Sequence, residues 1–250
     1  MAAEARGILG ASIKRKEDRR LIRGAGRYVD DLHLPGTLYV AFVRSPHAHA
    51  RIRAVDLAPA LALEGVVTAV AGREVAERLG TLPTEGWKLP GPALRAAVDP
   101  LYVATETQPL LAVERARYVG EPVALVVAHS RYLAEDAAEQ VVIDWEPLPP
   151  VTTVEAARAP DAPRVHPELP DNVSTHIRIG TGDVDAAFAQ ADLVVRRRLR
   201  MQRLTGMPLE PRGTLATREP DGRLTVWSAT QTPHALRNML AHLLHLDAAR

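Results

Sequence analysis

The sequence predicts an α+β protein, and three observations carry that prediction. Two short segments near residue 40 and residue 52 alternate apolar and polar positions with the period of a strand. A strand, helix and strand follow one another over 121–145, and an apolar stripe at helical spacing occupies 233–246. With 46% hydrophobic and 24% charged residues over 250 positions, the chain can bury a substantial core and has room for more than one domain.

Residues 1–23 are charged and aperiodic, and are expected to form an extended arm. Leu38–Arg44 and Ala50–Val55 alternate as strands and are expected to lie hairpin-like, joined through Ser45-Pro46-His47. Pro46 has no amide hydrogen to donate and disfavours helix before it, so the first strand should stop there. Gly65–Ala71 is a further β-rich run, and 72–79 suits a short helix. Four prolines in 80–100 predict a long irregular excursion. Glu121–Ala128 is apolar and β-rich, Ser130 can cap a helix over Arg131–Glu139, and Val141–Trp145 returns as a strand. These elements predict a mixed α+β domain over 24–148.

Seven prolines fall within 147–172, and 149–172 is expected to be a linker leading to a second domain over 173–250. There, Gly182–Ala191 reads as a helix with Asp183 at its start, where the helix dipole favours a negative charge. Strands are expected at Leu193–Met201, Gly213–Arg218 and Leu224–Ser228, the last two separated by the turn Glu219-Pro-Asp-Gly222. Leu236, Met239, Leu240, Leu243 and Leu244 make Pro233–Leu246 a buried amphipathic helix.

Composition excludes several classes of function. The 31 basic and 30 acidic residues nearly cancel, so the net charge of +1 points to neither nucleic acid nor an acidic membrane surface. The absence of cysteine rules out disulfides, thiolate metal ligands and iron–sulfur clusters held by this chain. No apolar stretch reaches the length of a membrane span, and the first residues have no apolar core, so a cytoplasmic chain is expected.

Candidate chemistry is sparse. His47 and His49 lie two apart, which on a strand would face both imidazoles to one side, as a metal site requires. No third ligand follows at convincing spacing, so histidines hydrogen-bonding at a strand end outweigh the metal alternative, which loss of zinc or copper in His47→Ala would mark. Gly24-Ala-Gly26 lacks the third glycine of a dinucleotide loop. Arg196–Arg200 continues a strand and reads as its solvated face. His242 and His245 lack the glutamate of a zinc-protease helix, and no Gly-x-Ser-x-Gly elbow occurs. Residue chemistry alone therefore gives a two-domain α+β protein with no located site.

A family resemblance goes further. Arg15–Asp18, Gly24–Asp31 with Leu34-Pro-Gly36, Phe42–Ile52 (FVRSPHAHARI), Arg117–Val123, Tyr132–Ala138 and Trp145–Pro149 together resemble the start of the molybdopterin-binding large subunit of the xanthine dehydrogenase, aldehyde oxidase and aerobic carbon monoxide dehydrogenase family. Gly182–Phe188, Pro208–Gly213 and Leu224–His234 are similar to that family's cofactor domain. The resemblance implies a hammerhead-type α/β domain over 24–148, followed by the first part of a molybdopterin-binding α+β domain. It implies oxidative hydroxylation of a carbon centre, or carbon monoxide oxidation in the branch that uses a copper bridge. It also implies molybdenum-molybdopterin, in its cytosine dinucleotide form, held through the pterin rather than by cysteine or histidine. Electrons would pass to 2Fe-2S clusters on a small iron–sulfur subunit and to FAD on a medium subunit.

One cofactor contact carries over by position: Gln231, whose amide would donate to an oxygen on the metal; a glutamine capping the next helix is the alternative. The family's glycine-rich loop and catalytic glutamate have no counterpart within these 250 residues. The chain is therefore expected to be a truncated product or one piece of a split large subunit, inert alone and dependent on the remainder of that subunit. A non-catalytic assembly module that binds the iron–sulfur or flavin subunit is the alternative.

Overall fold

The computed structural model describes residues 12–83, 102–103, 107–173, 175–176 and 182–250. They divide into two compact units: 36–202 with 234–248, and the chain up to Pro35 with 203–233 and 249–250. Residues 84–101, most of the expected irregular excursion, lie outside the described residues, as do the first 11 of the expected arm. The rest of that arm is not fully extended, because it contains the short helix α1 (Asp18–Leu21), preceded by an Arg15–Asp18 ion pair.

In the unit containing 36–202, the chain runs through β1 (Tyr39–Arg44), β2 (Ala50–Asp56), α2 (Ala58–Leu61), β3 (Val66–Ala71), α3 (Gly72–Leu79) and β4 (Thr81–Pro83). It continues through β5 (Tyr102–Val103), β6 (Thr107–Pro109), β7 (Arg115–Ala116), β8 (Pro122–Ala128), α4 (Arg131–Glu139), β9 (Val142–Pro147), α5 (Val154–Ala157), β10 (Thr175–His176) and α6 (Val184–Ala189). Two antiparallel three-stranded sheets dominate, in the orders β1-β8-β3 and β7-β2-β9.

The strands form where alternation and β-branching predicted them, but the pairing differs from expectation. β1 and β2 are not a hairpin; they belong to different sheets. The cause lies at Ser45, whose amide donates to the Glu121 carbonyl at 2.9 Å and whose carbonyl accepts from the Gly120 amide at 2.8 Å. Both backbone groups are thus committed across the molecule, and Pro46 next to it has no amide to offer a tight turn.

The central strand β8 reads as a continuous apolar run because it is covered on both sides: Val123, Ala124, Val126 and Ala128 are fully buried. Helix α4 packs over this sheet through small residues. The Ser130 hydroxyl accepts from the Leu133 amide at 3.2 Å and caps it, as expected. Its buried Ala134 and Ala137 allow close approach, and Ala137 joins Ala60, Ala69 and Val126 in one cluster. Full burial of a side chain such as Val126 contributes roughly 1.5–3 kcal/mol. Gly72, buried at the start of α3, is required: a Cβ there would overlap the Ala112 carbonyl.

The proline-rich stretch is locally folded. Thr153 caps α5 through a 3.1 Å bond from the Ala156 amide, and the Asn172 side chain bridges the Val165 amide and the Pro163 carbonyl. Helix α6 forms with Asp183 accepting from the Ala186 amide at 2.9 Å, as the sequence predicted.

The strand expected at Leu193–Met201 does not form. It enters no sheet among the described residues, and Leu199 and Met201 are each 88% exposed. The alternation that predicts a strand supplies no neighbour, and a strand without a ladder is unstable in water.

In the other unit, β11 (Thr214–Arg218) and β12 (Leu224–Ser228) form the expected hairpin, in register from Thr214↔Ser228 to Arg218↔Leu224. Gly213 approaches Val29 closely, and Glu210 accepts from the Val29 amide at 3.1 Å. The terminal amphipathic pattern forms helix α7 (Pro233–Leu243), which from His234 onward belongs to the unit containing 36–202, with Leu243 buried and His242 and His245 exposed.

Candidate functional site

Gln231 sits in the connection that follows β12, and the hairpin before it is tightly held. Gly222 takes φ +84° at the turn, where the Glu219 amide donates to the Arg223 carbonyl and the Gly222 amide to the Glu219 carbonyl. Asp221 accepts from both the amide and the guanidinium of Arg223, which holds its carboxyl below the usual aspartate range. The Thr225 hydroxyl donates to Glu219, the first residue past the facing strand, at 2.9 Å.

Beyond the strand, the Ala229 amide donates to the Gly213 carbonyl at 3.2 Å, and the Thr232 amide to the Thr230 hydroxyl at 3.1 Å. Pro233 then opens α7 at a position where a helix needs no amide hydrogen. Gln231 lies between these two fixed points, exposed, with its amide hydrogen-bonded to no described residue. It does not cap α7, so the capping alternative gains no support. A donor and an acceptor are thus presented at a strand end by a short, anchored connection, where ligand contacts commonly gather.

His47 and His49 occupy the bend between β1 and β2 rather than a strand, so they do not share a face as the spacing suggested. The His49 ring, 5% exposed, bonds through Nδ1 to the Pro149 carbonyl at 3.0 Å, and its own carbonyl accepts from the Leu148 amide at 2.9 Å. The His47 ring instead packs edge-on against Trp145, centroids 5.4 Å apart. Ser45 braces the bend, its hydroxyl accepting from the His47 amide and donating to the His47 carbonyl. No cluster of three metal-ligating side chains occurs among the described residues. The His49 ring is thus tied by a hydrogen bond just ahead of β2, whereas the His47 ring is held by packing on Trp145.

The sequence reading missed Glu121, 9% exposed at the start of β8. Its carboxylate accepts from the Arg117 amide, while the Arg44 guanidinium donates to the Gly120 carbonyl at 2.9 Å. Burial pushes the Glu121 carboxyl above the usual glutamate range, against the lowering effect of the Arg117 and Tyr118 amides. A charged residue directly ahead of an apolar strand was the available signal. Three stretches that carried the family resemblance, around Ser45–His49, Arg117–Glu121 and Trp145–Pro149, thus converge on one corner.

A concavity of about 480 Å³ is lined by Arg51, Ile52, Arg53, Glu114 and Arg115. Arg51 and Arg53 both face Glu146, at 3.5 and 3.1 Å, so two of its three guanidiniums are already engaged. It shares no residue with the Gln231 connection.

The family model "Aldehyde oxidase and xanthine dehydrogenase, a/b hammerhead domain" matches residues 23–149, and "Molybdopterin cofactor-binding domain" matches 165–250. The nicotine 6-hydroxylase large subunit of Paenarthrobacter nicotinovorans is 36% identical over 98% of this chain and 29% of its own length. The carbon monoxide dehydrogenase large chain of Afipia carboxidovorans is 35% identical over 96% of this chain and 30% of its own length. The crystal structure of quinoline 2-oxidoreductase from Pseudomonas putida 86 superposes with a TM-score of 0.77 at 38% identity, covering 96% of this chain and 29% of that one. The nicotinate dehydrogenase large molybdopterin subunit of Eubacterium barkeri, 29% identical over 97% of this chain, is matched over 52% of its length. The chain thus spans under a third of its first relatives and about half of the last.

Proposed function

The chain belongs to the aldehyde oxidase and xanthine dehydrogenase family, and on that premise we propose that its 250 residues serve as the leading part of a molybdenum hydroxylase large subunit. The subunit would act in oxidative hydroxylation of a carbon centre or in carbon monoxide oxidation. The observation that carries this reading is the succession of a hammerhead match and a cofactor-domain match along nearly the whole chain. Its relatives are molybdenum-dependent oxidoreductases of the same family, and their names span nicotine and carbon monoxide, so the reading stops short of a substrate.

Molybdenum-molybdopterin, when bound, supplies the two-electron redox chemistry. Gln231 fits a contact to it: an exposed neutral amide, held at a strand end and unpaired with any described residue, can donate to a cofactor oxygen and keep it oriented. The division into a hammerhead domain at 24–148, a linker at 149–172 and a cofactor domain from 173 belongs to the same proposal. So do the cytosine dinucleotide form of the cofactor, the iron–sulfur and FAD partner subunits and a cytoplasmic location; the "large subunit" and "large chain" names of the relatives support a multi-subunit assembly.

These 250 residues contribute frame and one cofactor contact, with the chemistry completed by the rest of the large subunit. Molybdenum analysis tests this. The chain purified alone is expected to hold far less than one molybdenum per polypeptide, and stoichiometric metal would contradict the reading. Within an assembled enzyme, Gln231→Ala should lower molybdenum occupancy or turnover by ~10–100-fold while leaving the circular dichroism unchanged. Unaltered occupancy and turnover would remove Gln231 from the site.

A further inference from the structure

The concavity lined by Arg51, Ile52, Arg53, Glu114 and Arg115 lies where the two ladders on the central strand β2 differ in length. On one side β9 pairs with β2 from Ala50 to Asp56, whereas on the other β7 pairs only with Ala50 and Arg51. The Ile52 amide donates to the Glu114 carbonyl at 2.8 Å, and there the β7 side stops. Beyond that step, no main-chain group of Arg53, Ala54, Val55 or Asp56 bonds to a described residue outside the β2–β9 ladder. Alternate residues of a strand aim their amides and carbonyls at opposite neighbours, so an open length of edge offers donors and acceptors to a further extended chain.

Charge gives the step a polarity. Arg51 stands directly opposite Arg115 in the β2–β7 ladder, an arrangement in which like charges destabilise. Glu146 answers Arg51 and Arg53, at 3.5 and 3.1 Å, while the Arg115 guanidinium meets no carboxylate among the described residues. The three arginines outnumber Glu114 and Glu146 by one, so a single carboxylate beside Arg115 balances the site and relieves the opposed pair.

We propose that this step is a docking site for an extended acidic segment of another protein, which adds to β2 along 53–56 and sets a carboxylate between Arg51 and Arg115. The open main chain selects an extended polypeptide, because a free carboxylate or phosphate engages the guanidiniums and leaves the edge bare. The unbalanced positive charge selects an acidic segment over a neutral or basic one. A concavity of about 480 Å³ has the size of a ligand pocket and accommodates the leading acidic side chain. The site lies within the unit containing 36–202 and involves neither Gln231 nor the cofactor.

The test adds capped synthetic hexapeptides to the full 250-residue chain. One alternates valine and threonine behind a leading glutamate, and a second carries glutamine in place of that glutamate. Two more are the glutamate peptide with its main chain N-methylated at the valines or at the threonines. Amides within 53–56 that exchange freely in the chain alone should slow at least ~5-fold at saturating glutamate peptide. The glutamine peptide should bind ~10-fold more weakly, and Arg115→Gln should weaken the glutamate peptide by a similar factor while erasing the difference between the two. Since alternate amides of an added strand face its neighbour, one N-methylated peptide should lose binding and the other keep it. Acetate alone should leave the exchange of 53–56 unchanged.

Absence of binding by the glutamate peptide would overturn the proposal, as would protection of these amides before any peptide is added or in a concentration-dependent dimer of this chain. Protection by acetate would reduce the site to one for a free anion. Binding that is indifferent to Arg115→Gln and to the glutamine replacement, or equal binding of the two N-methylated peptides, would refute respectively the carboxylate contact and the strand addition.

Discussion

The corner around Ser45–His49 and the stretch around Leu193–Met201 are built on opposite terms. At the corner, backbone and side-chain groups from three distant segments hydrogen-bond one another, with His49 Nε2 and Arg117 Nε left buried and unpaired, next to a β8 whose Val123, Ala124, Val126 and Ala128 are fully buried. In the 193–201 stretch, an equally regular alternation leaves Leu199 and Met201 each 88% exposed. A pattern in the sequence specifies which residues want burial, and only a neighbour decides whether they obtain it.

Stability measurements can break this contrast. The largest effect is expected at Gly72→Ala, since the added Cβ would drive into the Ala112 carbonyl, a backbone atom that cannot swing aside. A loss of about 3 kcal/mol in urea unfolding is expected, at the upper end of overpacking costs. A loss below ~1 kcal/mol would mean the α3 junction is looser than it looks. Ser130→Ala, which deletes the cap of α4, should cost about 1 kcal/mol by the same measurement.

Glu121→Gln sharpens the comparison through pH. Burial raises the carboxyl of Glu121 above its ordinary value of 4.5, so folding favours the protonated form. Its contribution to stability is fully present below the unfolded value and is lost as pH climbs through the raised folded value. As pH rises from the ordinary glutamate value through the raised folded value, wild type should therefore lose stability relative to the glutamine variant. A difference that stays flat with pH would mean the carboxylate is adequately served by the Arg117 and Tyr118 amides. The smallest effect belongs to the exposed stretch: Leu199→Ser in the chain alone should stay within ~0.5 kcal/mol of wild type, whereas a large loss would reveal packing that its exposure denies.

The elements themselves were largely legible. Period-two runs located β1 and β2, a continuous apolar run located β8, the turn at Glu219-Pro-Asp-Gly222 separated β11 from β12, and the caps at Ser130 and Asp183 located α4 and α6, because these signals are local. Pairing was not legible, since alternation in β1 and β2 names a buried side but not a ladder partner, and the commitment of Ser45 to Glu121 and Gly120 depends on residues over 70 positions away. The same gap explains the strand expected at 193–201. Gln231 could be singled out only through resemblance, as a lone glutamine after a strand has no distinctive chemistry, whereas His47 and His49 looked conspicuous and sit in a bend against Trp145 and Pro149.

The bond from His49 to the Pro149 carbonyl spans 100 positions, and the one from Arg44 to the Gly120 carbonyl spans 76. Such contacts close large loops and reward the chain only late in folding. During synthesis the corner cannot be completed until Pro149 has left the ribosome, by which time β1 and β2 have long been exposed as unpaired edges. The nascent chain therefore passes through a prolonged interval in which its most self-sufficient region is its most vulnerable one.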